Sequence, residues 1–468
     1  MANYTIEMLG DRALVLYFRQ KIDLSIHHQV MSVVQQLETK PLSKQTSIIP
    51  AYASLTILFS QSLSAAELKK IKKTLAGLRT KKIKSSEMKT TLVELPVSYG
   101  GANGPDLVEV ARVHGLSENE VIAQHSKPTY DVYQIGFTPG FPYLGGLPES
   151  LRTPRHKTPR LKVSAGSVGI GDAQTGVYTV DGPGGWQIIG KIEIPLFDPN
   201  KNPPALLRAG MKVKFKPKQI DLNADVGESY HEAKVGNDEG LIPLVNTVNI
   251  ACGFHGGDPE TMKRAIKLAL EHRVQIGAHP SFQDLKNFGR VELIVKPALL
   301  EKQIREQLST LSKELKKQKA TIHHVKLHGA LYHHVNHNPA STRVILKAIK
   351  SLCPEAKIVG LPHSPFLIAA EKLGFSTVRE AFVDRRYRKD GSLVPRNEKR
   401  AIIDDPQECA EQARSIAVEQ QVKTIDGKVI PLIADTLCIH GDHPQSKEIA
   451  IAIRKELENA HYQLASFL

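Results

Sequence analysis

Apolar and polar positions follow three different rhythms along the chain, and each predicts a different architecture. Over residues 1–88, the segments 4–9, 13–18, 46–50 and 54–59 alternate with period two, the mark of half-buried strands. Segments 25–38 and 64–78 instead carry the spacing of amphipathic helices. Ser25 stands where it would cap the first helix, and Ser64 with Glu67 has the capping-box spacing for the second. A small α+β domain is expected. Over residues 89–218 the β-type runs are short (91–97, 163–170, 177–180, 186–194 and 212–215) and broken by Gly and Pro. Helices are expected only at 106–114 and 117–125. Many short strands with Gly/Pro turns predict an all-β barrel or sandwich.

Over residues 219–468 seven apolar runs alternate with helical segments: 220–225, 247–252, 275–279, 323–328, 357–361, 378–384 and 436–440. Asp258-Pro259-Glu260, Ser364-Pro365 and Asp442-His443-Pro444 are expected to open helices, a cap followed by an early proline. Repeated strand–helix units imply a parallel sheet, and seven of them favour a closed β/α barrel. Such barrels place their chemistry at the carboxyl ends of the strands. There the chain reads Asp221-Leu222-Asn223-Ala224-Asp225 with Gly227-Glu228, then His255, His279-Pro280, Lys326-Leu327-His328-Gly329, Asp384-Arg385-Arg386 and His440-Gly441-Asp442. Period two sends Asp221, Asn223 and Asp225 to one side. Carboxylates and imidazoles converging in this way suit two tasks. They can act as general acid and base, or hold a divalent metal, for which Asp225, His255 and His279 are the candidates. Arg385 and Arg386 suit a carboxylate or phosphate, whose oxygens match the guanidinium fork, and Lys326 would add a point charge to the same task.

Composition narrows the classes. The formal charge of +14 resides mainly in the first 218 residues, with Lys69, Lys70, Lys72, Lys73, Lys81, Lys82, Lys84 and Lys89 around one helix and the connector after it. No aromatic residues interleave with these lysines, so a nucleic-acid platform is not expected. No apolar run reaches membrane-span length and no signal peptide is evident, so a cytoplasmic protein without a membrane anchor is expected. Four cysteines, in no CxxC spacing, argue for free thiols. Five of the 19 histidines precede residue 219 and the rest follow it, so the chemistry is expected in the second half. Gly185–Lys191 mimics a P-loop, but Ile192 stands where Ser or Thr would hold magnesium, and no helix follows.

Long strings in the second half carry a resemblance: Asp221-Leu222-Asn223-Ala224-Asp225-Val226-Gly227-Glu228, residues 249–258, Phe288-Gly289-Arg290, residues 325–332, Leu393-Val394-Pro395-Arg396 and Ile439-His440-Gly441-Asp442. Together they resemble the LamB/YcsF family, the A component of 5-oxoprolinase, over residues 220–468. In the first half, Ile135-Gly136-Phe137-Thr138-Pro139-Gly140-Phe141-Pro142-Tyr143, Ser164-Ala165-Gly166-Ser167-Val168-Gly169 and Pro183-Gly184-Gly185-Trp186 resemble the family of the 5-oxoprolinase B component, also called KipI-like or allophanate hydrolase subunit 1-like. The resemblances imply a fusion: a small α+β domain, a cyclophilin-like β-barrel, and a seven-stranded β/α barrel of the glycoside hydrolase and deacetylase type. They imply ATP-dependent hydrolysis of 5-oxoproline to L-glutamate, with Mg2+ accompanying ATP and a biotin-dependent-carboxylase-like C component as separate partner. Asp221, Asn223, Asp225, Glu228, His255, His279, His328, Asp384, His440 and Asp442 are then the catalytic candidates. Gly140, Gly166 and Ser167 are candidates for binding substrate or phosphate, since glycine lets backbone N–H groups approach an anion. The alternative reading is a metal-dependent carbohydrate deacetylase barrel fused to a kinase-inhibitor-like regulatory domain.

Overall fold

The structure, a computed structural model, describes residues 4–78 and 91–467. The chain divides into two compact units, Met1–Lys218 and Gln219–Leu468. Of the lysine-rich stretch, Lys81, Lys82, Lys84 and Lys89 lie outside the described residues. No helix among the described residues is long and apolar enough to cross a membrane.

The first unit begins with a four-stranded antiparallel sheet in the order Thr5–Met8, Ala13–Tyr17, Ser54–Phe59, Gln45–Pro50. Leu14, Leu16, Leu55 and Ile57 leave it on one face and pack on Val30, Val33, Val34 and Leu37 of the helix Leu24–Thr39. That helix is capped by Asp23, whose carboxylate accepts from the backbone of Ser25 and Ile26. Ser25, the expected cap, already lies inside the first turn. The helix Ala65–Ala76 does carry the Ser64/Glu67 capping box.

A closed seven-stranded barrel follows, in the order Gln174–Val177, Pro142–Gly145, Tyr130–Ile135, Lys212–Pro217, Leu92–Tyr99, Gln187–Lys191, Ser167–Gly171. Only the pairing of Lys212–Pro217 with Leu92–Tyr99 is parallel. Two of these strands, Tyr130–Ile135 and Pro142–Gly145, are not evident in the sequence, because the Gly/Pro-rich hairpin between them masks the alternation, and the expected strand 177–180 is displaced to Gln174–Val177. The run 163–170 is two strands, Arg160–Val163 and Ser167–Gly171, parted by a turn at Gly166. Gly166 has φ +85°, a backbone region that favours glycine.

The second unit is a closed, all-parallel barrel of seven strands in chain order: Gln219–Val226, Thr247–Ala251, Gln275–His279, His324–Lys326, Lys357–Gly360, Thr377–Phe382 and Thr436–Ile439. The first strand pairs with both the second and the seventh, which closes the ring. Its outward residues Leu222, Ala224 and Val226 are buried in the layer shared with the helices. Asp258 and Ser364 cap helices with proline at the first turn, as the sequence predicts. The last helix, Ser446–Asn459, starts beyond Asp442-His443-Pro444 at Gln445 with no side-chain cap, while Asp442 pairs with Arg290.

The barrel interior is unusually polar, and Gly277 makes room for it. A Cβ on Gly277 would lie 2.2 Å from His324 Nε2, which is itself bonded to Asn249 Oδ1 at 2.8 Å. The ring is buried and cannot swing aside. Gly277→Ala is therefore expected to destabilise the protein by about 1–3 kcal/mol, read as a lower urea midpoint at unchanged slope.

Candidate functional site

Polar side chains stack through the second barrel from floor to rim. Asp221 lies at the floor, where its Oδ2 accepts from the hydroxyls of Thr247 and Thr436. Burial pushes its carboxyl up to about 7, against the opposing pull of those two bonds. One layer higher, Asn223 donates to Thr436 Oγ1 at 2.7 Å and accepts from Asn249 Nδ2 at 2.8 Å. Asn249 Nδ2 also donates to Asp225 Oδ1 at 2.8 Å, tying this layer to the next.

At the strand ends Lys326 Nζ lies 2.8 Å from Asp225 Oδ1 and 2.8 Å from Glu380 Oε1, and donates to Cys438 Sγ at 2.9 Å. All four residues are buried. Burial alone would push the Lys326 ammonium toward deprotonation, but Asp225, Cys438 and Glu380 hold it well above its ordinary range. Burial pushes the Asp225 carboxyl up, yet His279 and Lys326 outweigh it and hold the group well below the usual carboxylate range. Glu228 has only the weaker opposing pull of Arg290. Its burial, with Asp225 and Asp442 nearby, pushes it well up. Two carboxylates at one barrel end are thus driven apart, as acid–base sites require.

A second dyad faces them. His440 Nδ1 donates to Asp384 at 2.9 Å, and the same carboxylate accepts the His440 backbone N–H at 3.0 Å. The ring stacks on Phe382 with centroids 5.3 Å apart. Burial lowers the His440 imidazole and Asp384 pulls it back in part. For Asp384, burial raises the carboxyl, but His440 outweighs this and holds it low. An imidazole oriented through Nδ1 by a buried carboxylate presents Nε2 as a base.

A cavity of about 320 Å³ opens over these groups, lined by Asp225, His279, Lys326, His328 and His440 below, and Arg290, Arg385 and Arg396 above. Arg290 Nη2 pairs with Asp442 at 2.5 Å, and Arg396 Nη1 lies 3.9 Å from the same carboxylate. Arg385 donates through Nη2 to the Val394 carbonyl, while its buried Nε has no hydrogen-bond partner. Burial, with Arg396 adding to it, lowers the Arg385 guanidinium to about 10. Beside the cavity, Glu228, His255, His279 and His328 offer donor atoms within 4.8 Å of one another, and this buried set can hold a metal ion.

The structure therefore brings together Asp225, Glu228, His255, His279, Lys326, His328, Asp384, Arg385, His440 and Asp442. Asp221 and Asn223 lie deeper in the barrel and do not line the cavity. Arg386 turns away and pairs with Glu408 at 2.7 Å. In the first unit, Gly140 and Gly166 make close turns, where a Cβ would meet Phe197 Cβ at 2.8 Å and the Ile192 carbonyl oxygen at 2.3 Å. Ser167 is buried in a strand. None of the three lines the 430 Å³ cavity of that unit, which lies between the 24–39 helix and the 208–211 loop. Glu380, Arg290 and Arg396 are not among the expected site residues. A lone glutamate inside an apolar strand run is the signal for the first, but the two arginines lie on loops with no periodicity to mark them.

The fold and site define a β/α-barrel protein with a buried acid–base and imidazole cluster under a cationic rim. Residues 220–468 match the LamB/YcsF family, and the chain belongs to it. Residues 4–207 match the carboxyltransferase domain, subdomain C and D, so one chain joins two family domains. The barrel half is 41% identical over 249 residues to a Thermus thermophilus protein named as the A component of 5-oxoprolinase, covering 53% of this chain and 100% of the relative. It is 41% identical over 239 residues to the like-named protein of Bordetella pertussis, covering 51% and 95%. The crystal structure of the lactam utilization protein from Thermus thermophilus superposes with a TM-score of 0.51 at 40% identity, covering 53% of this chain and 100% of that one.

Lys326→Met would leave Asp225 and Glu380 as buried carboxylates sharing no cation. A loss of about 3–5 kcal/mol in unfolding free energy is expected from denaturant titration. A loss below about 1 kcal/mol would show that the cluster is not held by this ammonium.

Proposed function

We propose that the chain is the joined B and A components of a three-component 5-oxoprolinase, which hydrolyses 5-oxoproline to L-glutamate driven by ATP. The observation that carries this reading is the strand-end cavity, where Asp225, the Asp384-oriented His440 and three guanidinium groups meet. It lies in a barrel matched along its whole length by relatives named as the A component of 5-oxoprolinase. The lactam is a small ring bearing one carboxylate. Arg385, with Arg290 and Arg396, suits that carboxylate or a phosphate oxygen.

The chemistry follows from the stability of the amide. The lactam oxygen attacks the γ-phosphorus of ATP and ADP leaves. Water adds to the activated carbon, giving up a proton to His440 Nε2 or Asp225. The ring C–N bond breaks as its nitrogen takes a proton, leaving an acyl phosphate. A second water, attacking at carbon, releases phosphate and the glutamate carboxylate. Mg2+ would accompany ATP. The partner is a separate C component of biotin-dependent-carboxylase type, and the setting is the cytoplasm.

The Glu228/His255/His279/His328 cluster favours a second reading, a metal-dependent deacetylase acting on acetylated sugars without ATP. Glutamate release by the purified chain with the C component, with and without ATP and Mg2+, separates the two. Release only with ATP and the partner is expected, and His440→Asn should lower the rate by about 100-fold or more. No glutamate from folded, assembled protein would overturn the reading, and ATP-independent deacetylation would replace it.

A further inference from the structure

Four side chains beside the cavity are arranged in a way that acid–base chemistry alone does not explain. His279 Nδ1 lies 2.8 Å from the Lys326 carbonyl oxygen, and His328 Nε2 lies 2.8 Å from that of Phe288. A carbonyl can only accept, so each of these nitrogens carries the N–H. A neutral imidazole has one N–H, and its other nitrogen is a lone-pair donor to an electrophile. Yet those other nitrogens, His279 Nε2 and His328 Nδ1, face each other at 3.0 Å. His255 stacks on His328 with centroids 3.7 Å apart and planes within 6°. It is fully buried, and neither of its nitrogens has a hydrogen-bond partner. His255 Nε2 lies 3.3 Å from Glu228 Oε1, which lies 3.7 Å from His328 Nδ1. Buried polar atoms without partners call for an explanation such as an ion.

We infer that Glu228 Oε1, His255 Nε2, His279 Nε2 and His328 Nδ1 bind one divalent transition-metal ion. Three imidazoles and a carboxylate select the borderline class, with Zn2+ the type member and Co2+ its spectroscopic stand-in. A tetrahedron with bonds of about 2.0–2.1 Å has edges of roughly 3.4 Å. Three of the six separations, 3.0, 3.3 and 3.7 Å, straddle that value, and with all four atoms within 4.8 Å of one another the wider pairs would close in on the ion. The backbone carbonyls on His279 and His328 are the outer partners that fix the tautomer of a ligating imidazole. Asp225, expected from the sequence as a ligand, lies 3.5 Å from His279 and is held instead by Lys326 and Asn249. It stands outside the donor set, while Glu228 and His328 enter it. A single proton shared by His279 and His328 is the rival occupant, but it leaves His255 Nε2 with only the Glu228 carboxyl, 3.3 Å away.

The inference deepens the reading above by naming a cofactor for the same cavity. It rests on that reading only for the ion's use, not for its binding. Its test therefore needs no turnover. The full chain, stripped with chelator and dialysed, is titrated with Co2+ and followed by visible ligand-field absorption and by metal analysis after gel filtration. One equivalent bound, with the intense bands of a four- or five-coordinate site, is expected. Glu228→Gln and His255→Ala should each weaken binding at least about tenfold, and His333→Asn, which alters another cavity histidine, should not. Circular dichroism establishes that each variant is folded. Failure of the folded wild-type chain to retain Co2+ or Zn2+ would overturn the inference, as would full retention by both Glu228→Gln and His255→Ala.

Discussion

One buried ammonium group organises the barrel's working end. Lys326 Nζ sits between Asp225 and Glu380 with almost no access to water. Desolvating three charges is costly, and the cost is offset only while all three are present and bonded. Each partner therefore depends on the others. Asn249 adds a bond to Asp225 from below, and Phe382 lies against the ammonium with its ring centroid 5.3 Å away. The arrangement keeps Asp225 ionised in a place where an isolated carboxylate would take a proton. Glu228, in the same region but with only Arg290 pulling against its burial, is pushed the other way. The contrast gives the cavity an ionised carboxylate on one side, while His279 and His328 are each oriented by a backbone carbonyl on the other.

Much of the fold is legible in the chain because the strand–helix rhythm is strong. The expected strand 275–279 has both ends correct, and period two rightly sends Asp221, Asn223 and Asp225 inward. Depth is not legible. Two residues advance a strand by about 6.6 Å, so Asp221 lies two layers beneath Asp225, where Thr247 and Thr436 donate to its carboxylate. Arg385-Arg386 looks like one feature in the sequence, but adjacent residues diverge, and only Arg385 reaches the cavity. In the first unit the glycine strings suggest a ligand cradle. Gly140 and Gly166 are explained by turns packed too closely for a side chain. Glu380 shows in the sequence only as a glutamate within an apolar run, since its pairing with Lys326 across the barrel leaves no trace in spacing along the chain.

The polar column beneath the site has a structural consequence. Parallel barrels usually fill their interiors with branched apolar side chains. Here Thr436, Asn223, Asn249 and His324 pass hydrogen bonds from floor to rim. Such a network is stabilising only when its members are satisfied. It fixes the rotamer of Asp225 from below while Lys326 fixes its charge from the side. The rim is built differently, from the loops that carry Arg290 and Arg396, both turned toward Asp442. Asp225 thus sits in a strand, Asp384 and His440 lie just past strand ends, and loops hold Arg290 and Arg396.

The central claim is that this cavity opens a lactam whose oxygen has first been phosphorylated. The most direct measurement uses 5-oxoproline carrying 18O in the ring carbonyl, turned over by the assembled protein with its C component and ATP. The account predicts that the label appears in inorganic phosphate, because the lactam oxygen becomes the bridging oxygen of the acyl phosphate and leaves with phosphorus. Glutamate formed with all of the label retained in its side-chain carboxylate, and none in phosphate, would contradict it.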